Sequence, residues 1–347
     1  MQVCDRRWLL WCVSVLLLHG TSPVVAQHVK VLPDQGEAQA LADQLLQGLA
    51  EQRALLKSGQ FKLEGTIQPE WRAGLKPTVE FSCQAECYFA DGFHQFRFDQ
   101  RVSQIPLNLP QQKEPLVELS QYIRTPEFSI HTAGNNTDVR IFEPDHPSRE
   151  TLLGPFDIRV VGLISGSELQ TGMSASETRR SLSGVLESYR GYQLETVRLL
   201  EDRLYEVTWR FGKKAEFRLV LQIDAARGYA PVKLEYYHKR GQAKPFSDGR
   251  VCRVTVHWER KSQVWVPVSL QSESRQGTQR MELKFAWKSV NEQIPASVFT
   301  LDGLDLPEGR RLEDHHGNSG LLETSIIDHR DGKKTLIRGG DFRPDEE

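Results

Sequence analysis

Apolar and polar residues alternate one for one along stretch after stretch of this chain. A period of two is the signature of a strand with one buried face and one wetted face. Val79, Phe81, Cys83, Ala85, Cys87 and Phe89 alternate with Glu80, Ser82, Gln84, Glu86 and Tyr88. Phe61, Leu63 and Ile67 do the same before them, and His94, Phe96 and Phe98 after the tight-turn pair Asp91-Gly92. Further on come Tyr205, Val207, Trp209 and Phe211, then Phe217, Leu219, Leu221 and Ile223, then Val232, Leu234 and Tyr236. Cys252, Val254, Val256 and Trp258 follow, with Val264, Val266, Val268 and Leu270 next. Met281, Leu283, Phe285 and Trp287 close the set opposite Glu282, Lys284 and Lys288. Such clean alternation belongs to antiparallel meanders. Several runs approach ~10 residues, above the usual strand length, which predicts one large curved sheet.

Shorter strands are expected at Leu116–Arg124, Glu127–Thr132, Asp138–Phe142 and Phe156–Gly162, with a turn at Gly134-Asn135-Asn136 and a proline-rich loop at Ile105–Pro115. Two segments switch to helical spacing. Ala38, Leu41, Ala42, Leu45, Leu49 and Leu56 predict a helix near 37–57, capped by Asp34 with Glu37 three positions later and stopped by Gly59. Leu182, Val185, Leu186 and Tyr189 predict a second helix near 176–189 with Ser176 as its cap. The chain thus divides into a strand block at 60–162 and a strand meander at 193–290, each preceded by a helix.

The first 26 residues read as a signal peptide. Arg6 and Arg7 precede the apolar run Leu9–Leu18, and Val24-Val25-Ala26 places cleavage before Gln27. That run is about half of the ~20 residues a spanning helix needs; a retained anchor is the alternative. No other stretch is a transmembrane candidate, so a periplasmic or secreted location is expected. Residues 27–304 form the folded domain, and 305–347 a polar, mobile tail with a weak hairpin at Asp331-Gly332.

With 44 Lys+Arg against 46 Asp+Glu, the chain lacks the basic footprint of a nucleic-acid binder. Three cysteines remain after cleavage, all on apolar strand faces. Cys83 and Cys87 lie four residues apart on one strand, roughly 13 Å, beyond disulfide reach. They read as small buried hydrophobes, while a bridge from Cys252 to either one stays open. No nucleophile elbow is present, since Gly162-Leu163-Ile164-Ser165-Gly166 has the wrong spacing. Phosphate loop, dinucleotide fingerprint and zinc-protease pattern are likewise missing. Asp314-His315-His316 and Asp328-His329 fall in the tail, and Asp302, Asp305 and Glu308 do not fit a calcium loop. No catalytic residue, metal site or cofactor is assigned. The sequon Asn135-Asn136-Thr137 reads as a turn, and Arg97, Asp99 and Arg101 as a solvated sheet face.

Helix, strand block, helix and long meander behind a signal peptide resemble the LolA-like family of periplasmic lipoprotein carriers, with RseB-like sensors and lipid carriers among its relatives. The resemblance covers roughly Gln35 to Leu304. The runs Tyr122 to Glu127, Phe156 to Val160 and Phe299 to Leu304 also resemble runs in secreted bacterial proteins of this fold. It implies an α+β, mainly antiparallel β fold: a half-open, unclosed β-barrel with helices packed on or in its concave face. It also implies an apolar cavity for a lipid, acyl chain or lipoprotein. The candidate lining is Phe61, Leu63, Phe81, Phe89, Phe96, Phe98, Trp209, Trp258, Phe285 and Trp287. The alternative is that the helices fill the space, these residues are plain core, and the protein docks an envelope partner through its charged face or sheet edges. An enzyme built from scattered residues is the third reading.

Overall fold

The computed structural model describes residues 30–31, 34–68, 79–106, 116–132, 139–144, 156–170, 181–239, 249–274, 279–304, 311–314, 323–328 and 335–338. The expected signal peptide, the 134–136 turn with its sequon, the Ser176 cap, the Asp331-Gly332 turn, His315, His316 and His329 lie outside them.

In the N-terminal half the elements are β1 (Lys30–Val31), α1 (Gln35–Ala54), β2 (Gly59–Gln68), β3 (Val79–Ala90), β4 (Gln95–Pro106), β5 (Leu116–Arg124), β6 (Ser129–Thr132) and β7 (Val139–Phe142). Two helices follow, α2 (Gly166–Gln170) and α3 (Leu182–Arg190). The meander is β8 (Gln193–Glu201), β9 (Leu204–Phe211), β10 (Phe217–Asp224), β11 (Ala230–His238), β12 (Arg250–Lys261), β13 (Val264–Ser274) and β14 (Arg280–Val290). Three short strands, β15 (Arg311–Asp314), β16 (Glu323–Asp328) and β17 (Thr335–Arg338), lie in the segment read as a tail.

All these strands form one sheet. From one edge, β1 pairs with β8, and β8 to β14 follow in sequence order. Then β14 pairs with β2, and β2 to β7 follow in order. From β7 the sheet continues through β15 and β16 to β17, and β7–β15 is its one parallel pairing among the described residues. No ladder there joins β1 to β17, so the sheet is unclosed.

The β2–β14 ladder sets Leu63 opposite Phe285, Phe61 opposite Trp287 and Gly65 opposite Leu283. Asn291 stitches the end of this ladder to the end of α1. Its Oδ1 accepts from Lys57 N at 2.9 Å and its Nδ2 donates to Leu55 O at 2.8 Å. Asn291 sits at φ 59, a left-handed conformation that asparagine tolerates.

Helix α1 starts where its cap predicts, with the Asp34 carboxylate accepting from Gly36 N at 2.7 Å. Its buried stripe Ala38, Ala42, Leu45, Leu46 and Leu49 belongs to the same core as the apolar strand faces. Helix α3 is capped by Ser181, whose Oγ accepts from Gly184 N. Helix α2 has no counterpart in the sequence reading.

The strand expected at Phe156–Gly162 is a 3-10 turn over Ile158–Val160. Asp157 drives the difference, because its side chain accepts from Arg159 N at 2.8 Å and closes the turn. Gly162 follows at φ 83, where an added Cβ would meet Pro231 O at 2.9 Å. Phe299, in a 3-10 turn over Ala296–Phe299, and Leu304, just after another over Leu301–Gly303, are buried. They join Ile123, Ile130, Val139 and Leu312 in a second, smaller core.

That segment also corrects the reading of Arg97 as solvated. Its side chain is only 11% exposed, paired with Asp99 at 2.6 Å, and it donates to the carbonyls of Val298 and Gly303.

The β2–β14 junction depends on Gly65, since a Cβ there would sit 1.9 Å from the Glu282 carbonyl oxygen. Gly65→Ala is expected to destabilise the protein by about 1–3 kcal/mol in denaturant melts. Gly191→Ala, whose Cβ meets nothing nearer than 3.4 Å, should stay within about 0.5 kcal/mol of the parent.

Candidate functional site

Alternation delivers the ten candidate residues to the apolar side of the sheet, where eight are buried and Phe81 and Trp287 are half-buried. Four of them meet across β2, β3 and β14. Phe61 lies 4.9 Å from Trp287, 5.9 Å from Phe285 and 6.5 Å from Phe89, ring centre to ring centre. The chain of rings runs on through Phe93, stacked on Phe89 at 4.1 Å, to Phe96, Phe98 and Phe156. Leu63 faces Phe285 across the ladder, and Phe81 faces Ile67. Trp209 and Trp258 stand apart from this group. Trp209 packs on Tyr189 at 5.4 Å, and the Tyr189 hydroxyl donates to Leu163 O.

Trp258 has an unexpected neighbour. The Arg53 guanidinium, in the last turn of α1, lies 3.9 Å above its ring centre, while Trp258 Nε1 donates to Pro231 O at 2.9 Å. Arg53 is 4% exposed, and its Nη2 has no hydrogen-bond partner. Burial pulls the guanidinium down to about 9, with the charge of Asp157 opposing it. It therefore stays cationic at neutral pH. Asp157 is itself buried, and both its oxygens accept from Arg159 at 2.7–2.9 Å. Arg159 rests 4.6 Å over Phe93. Buried Arg53 and buried Asp157 thus sit with Arg159, which is 20% exposed, and the three carry a net charge of about +1.

Sequence reasoning passed over Arg53, Phe93, Tyr122, Phe156 and Tyr189 as site residues. The signal for Arg53 was present: it continues the stripe of Leu45 and Leu49 at one further turn. Phe93 was hidden by its place in the turn, where it adopts φ 76.

Among the described residues two clefts flank the sheet, and none of the ten candidates lines either one. The first, about 390 Å³, lies between Gln35 and Ala38 of α1 and Leu194, Glu195 and Arg210. Burial pushes the Glu195 carboxyl up, but hydrogen bonds and charge from Arg210 and Arg218 outweigh it and hold the group at about 2. The second, about 310 Å³, is lined by Ser165, Ser167, His238, Cys252 and Ser272 among others. Ser165 Oγ bonds to Glu168 at 2.7 Å and Ser167 at 2.9 Å. His238 stacks on Phe217 at 4.7 Å. Ser165 N also donates to Glu168 at 2.7 Å and Glu168 N to Ser165 Oγ at 3.3 Å, so this pair is the reciprocal cap of α2, and burial pushes the Cys252 thiol up to about 12.

Cys83, Cys87 and Cys252 are all free and buried. No group of three metal-ligating side chains occurs among the described residues, and no helix there is long and apolar enough to cross a membrane.

No family model matches the chain, and no curated protein does. Solved structures similar to it include a DUF1329 family protein from Desulfovibrio piger, at TM-score 0.38 and 12% identity, covering 76% of this chain and 98% of that one. A LolA superfamily protein from Nitrosomonas europaea matches at TM-score 0.36 and 11% identity, over 76% of this chain and 99% of that one. The structural neighbours thus include the family that the element order resembles.

Two outcomes are expected from this geometry. A thiol reagent at pH 8 should label none of Cys83, Cys87 and Cys252 in the native protein and all of them in denaturant; one unlabelled pair in denaturant would reveal a disulfide. Stability contributed by Glu195 is present above its unfolded value near 4.5 and lost as pH falls toward about 2. Glu195→Gln should therefore flatten the acid limb of the stability profile between those values.

Proposed function

We propose that this is an exported, non-catalytic binding protein of the cell envelope that carries or senses a lipid, acyl chain or lipoprotein. The observation that carries the reading is an unclosed sheet whose apolar face is lined with aromatic rings and shares one core with α1. A sheet open along one side can part from the helix that covers it without breaking its own ladders.

In this reading α1 packs on the concave face as a lid. The rings Phe61, Phe89, Phe285 and Trp287, with Leu63, Phe81, Phe96, Phe98, Trp209 and Trp258, form the surface that an acyl chain meets once α1 moves aside. Each CH₂ withdrawn from water contributes about 0.8 kcal/mol, so a long chain can offset the contacts α1 gives up. The element order behind a signal-peptide-like N-terminus supports an envelope location.

One observation favours the second reading, an interaction protein with a filled core. The rings pack on one another, and none of the ten candidate residues lines either cleft described above.

Native mass spectrometry of the protein from Gln27 onward, purified from its own export compartment, separates the two. An extra mass that lipid extraction identifies as an acyl lipid is the expected result. A bare mass, with a melting temperature unmoved by added fatty acids, would transfer the assignment to the filled-core protein.

A further inference from the structure

We propose that Arg53 anchors the head of the bound amphiphile, and that this head is an oxyanion, a carboxylate or a phosphate, at the end of an acyl chain. The inference rests on the acyl-binding reading above and adds the chemistry of the head.

An arginine on the buried stripe of a helix otherwise built from alanine and leucine is costly. A buried charge destabilises unless it is paired and its hydrogen-bond donors are used. Here one of them, Nη2, is buried and unused. One face of the guanidinium plane is taken by Trp258. Its in-plane Nη2 finds no acceptor. Asp157, the carboxylate that acts on it, has both oxygens engaged by Arg159. With Asp157 taken by the partly exposed Arg159, the Arg53 charge is left as the excess on the buried side.

A guanidinium set against a ring, with Nη2 lacking an acceptor, carries the planar fork that carboxylate and phosphate oxygens fit in pairs, and α1 moving aside would open it. Trp258 and Phe93, under the two guanidinium groups, tie this charge directly to the ring-lined surface. The head would settle at the end of α1 while the chain runs along the rings. Binding would supply the missing acceptor and neutralise the excess charge, which a neutral lipid cannot do.

The test measures binding of laurate, its methyl ester and dodecyl phosphate to the whole mature protein, to Arg53→Met and to Arg53→Lys. The wild type is expected to bind one or both anions at least about tenfold more tightly than the ester. The tighter anion identifies the head. Arg53→Met should lose this preference with its melting temperature unchanged or raised, because removing an unpaired buried charge relieves the ligand-free fold. Arg53→Lys should keep the preference for the anion but bind it several-fold more weakly. With carboxyl-labelled laurate, the bound carboxyl should titrate below its free value in the wild type and not in Arg53→Met.

Equal affinity for acid and ester in the wild type, or an Arg53→Met protein that still prefers the anion, would overturn the anchor and leave acyl binding standing. Failure of the wild type to bind any of the three would overturn both.

Discussion

Everything in this architecture hangs on the pairing of β2 with β14. Without that ladder the strand block and the meander are two separate curved sheets, each with a raw edge and half an apolar face. With it, Phe61 meets Trp287 and Leu63 meets Phe285, and one core extends from α1 across both halves. Gly65 permits the close approach of the two backbones, and Asn291 ties the outgoing end of the ladder to the end of α1. The helix is thus held to the sheet at one end by polar bonds and along its length by apolar contact.

Much of the strand layout was legible because its cause is local. A side-chain period of two survives any tertiary detail, so β3 and the meander were readable directly from Phe81 to Phe89 and from Tyr205 to Trp287. Asp34 likewise announced the start of α1. The failures share a different cause. Phe156, Ile158 and Val160 alternate with Asp157 and Arg159 as a strand would, yet Asp157 spends its carboxylate on the local backbone and turns the chain. Arg97 looked solvated because the carbonyls that receive it, at Val298 and Gly303, lie about 200 residues away in the chain. The candidate surface was legible as a set of inward positions. Whether those rings face a ligand or one another is not encoded in period, because both arrangements need the same alternation.

Arg53 shows the same limit from the other side. Its place on the helical stripe was visible, but an arginine there commonly reaches past its neighbours to water. In this fold the guanidinium lies against Trp258 and Arg53 is 4% exposed, so the charge stays inside. The second core, formed by Phe299 and Leu304 against Ile123 and Ile130, covers the opposite face of the β5–β6 region. That part of the sheet has protein on both faces.

The distance along the chain between the partners of the β2–β14 junction also bears on how the protein is made. Lys57 and Asn291 are 234 residues apart, so the N-terminal strands have no partner for their free edge until nearly the whole folded region has been synthesised. Local hairpins such as β2–β3 and β3–β4 can form at once, whereas contacts this distant in sequence form slowly, so the joining of the two halves is expected to be a late step of folding.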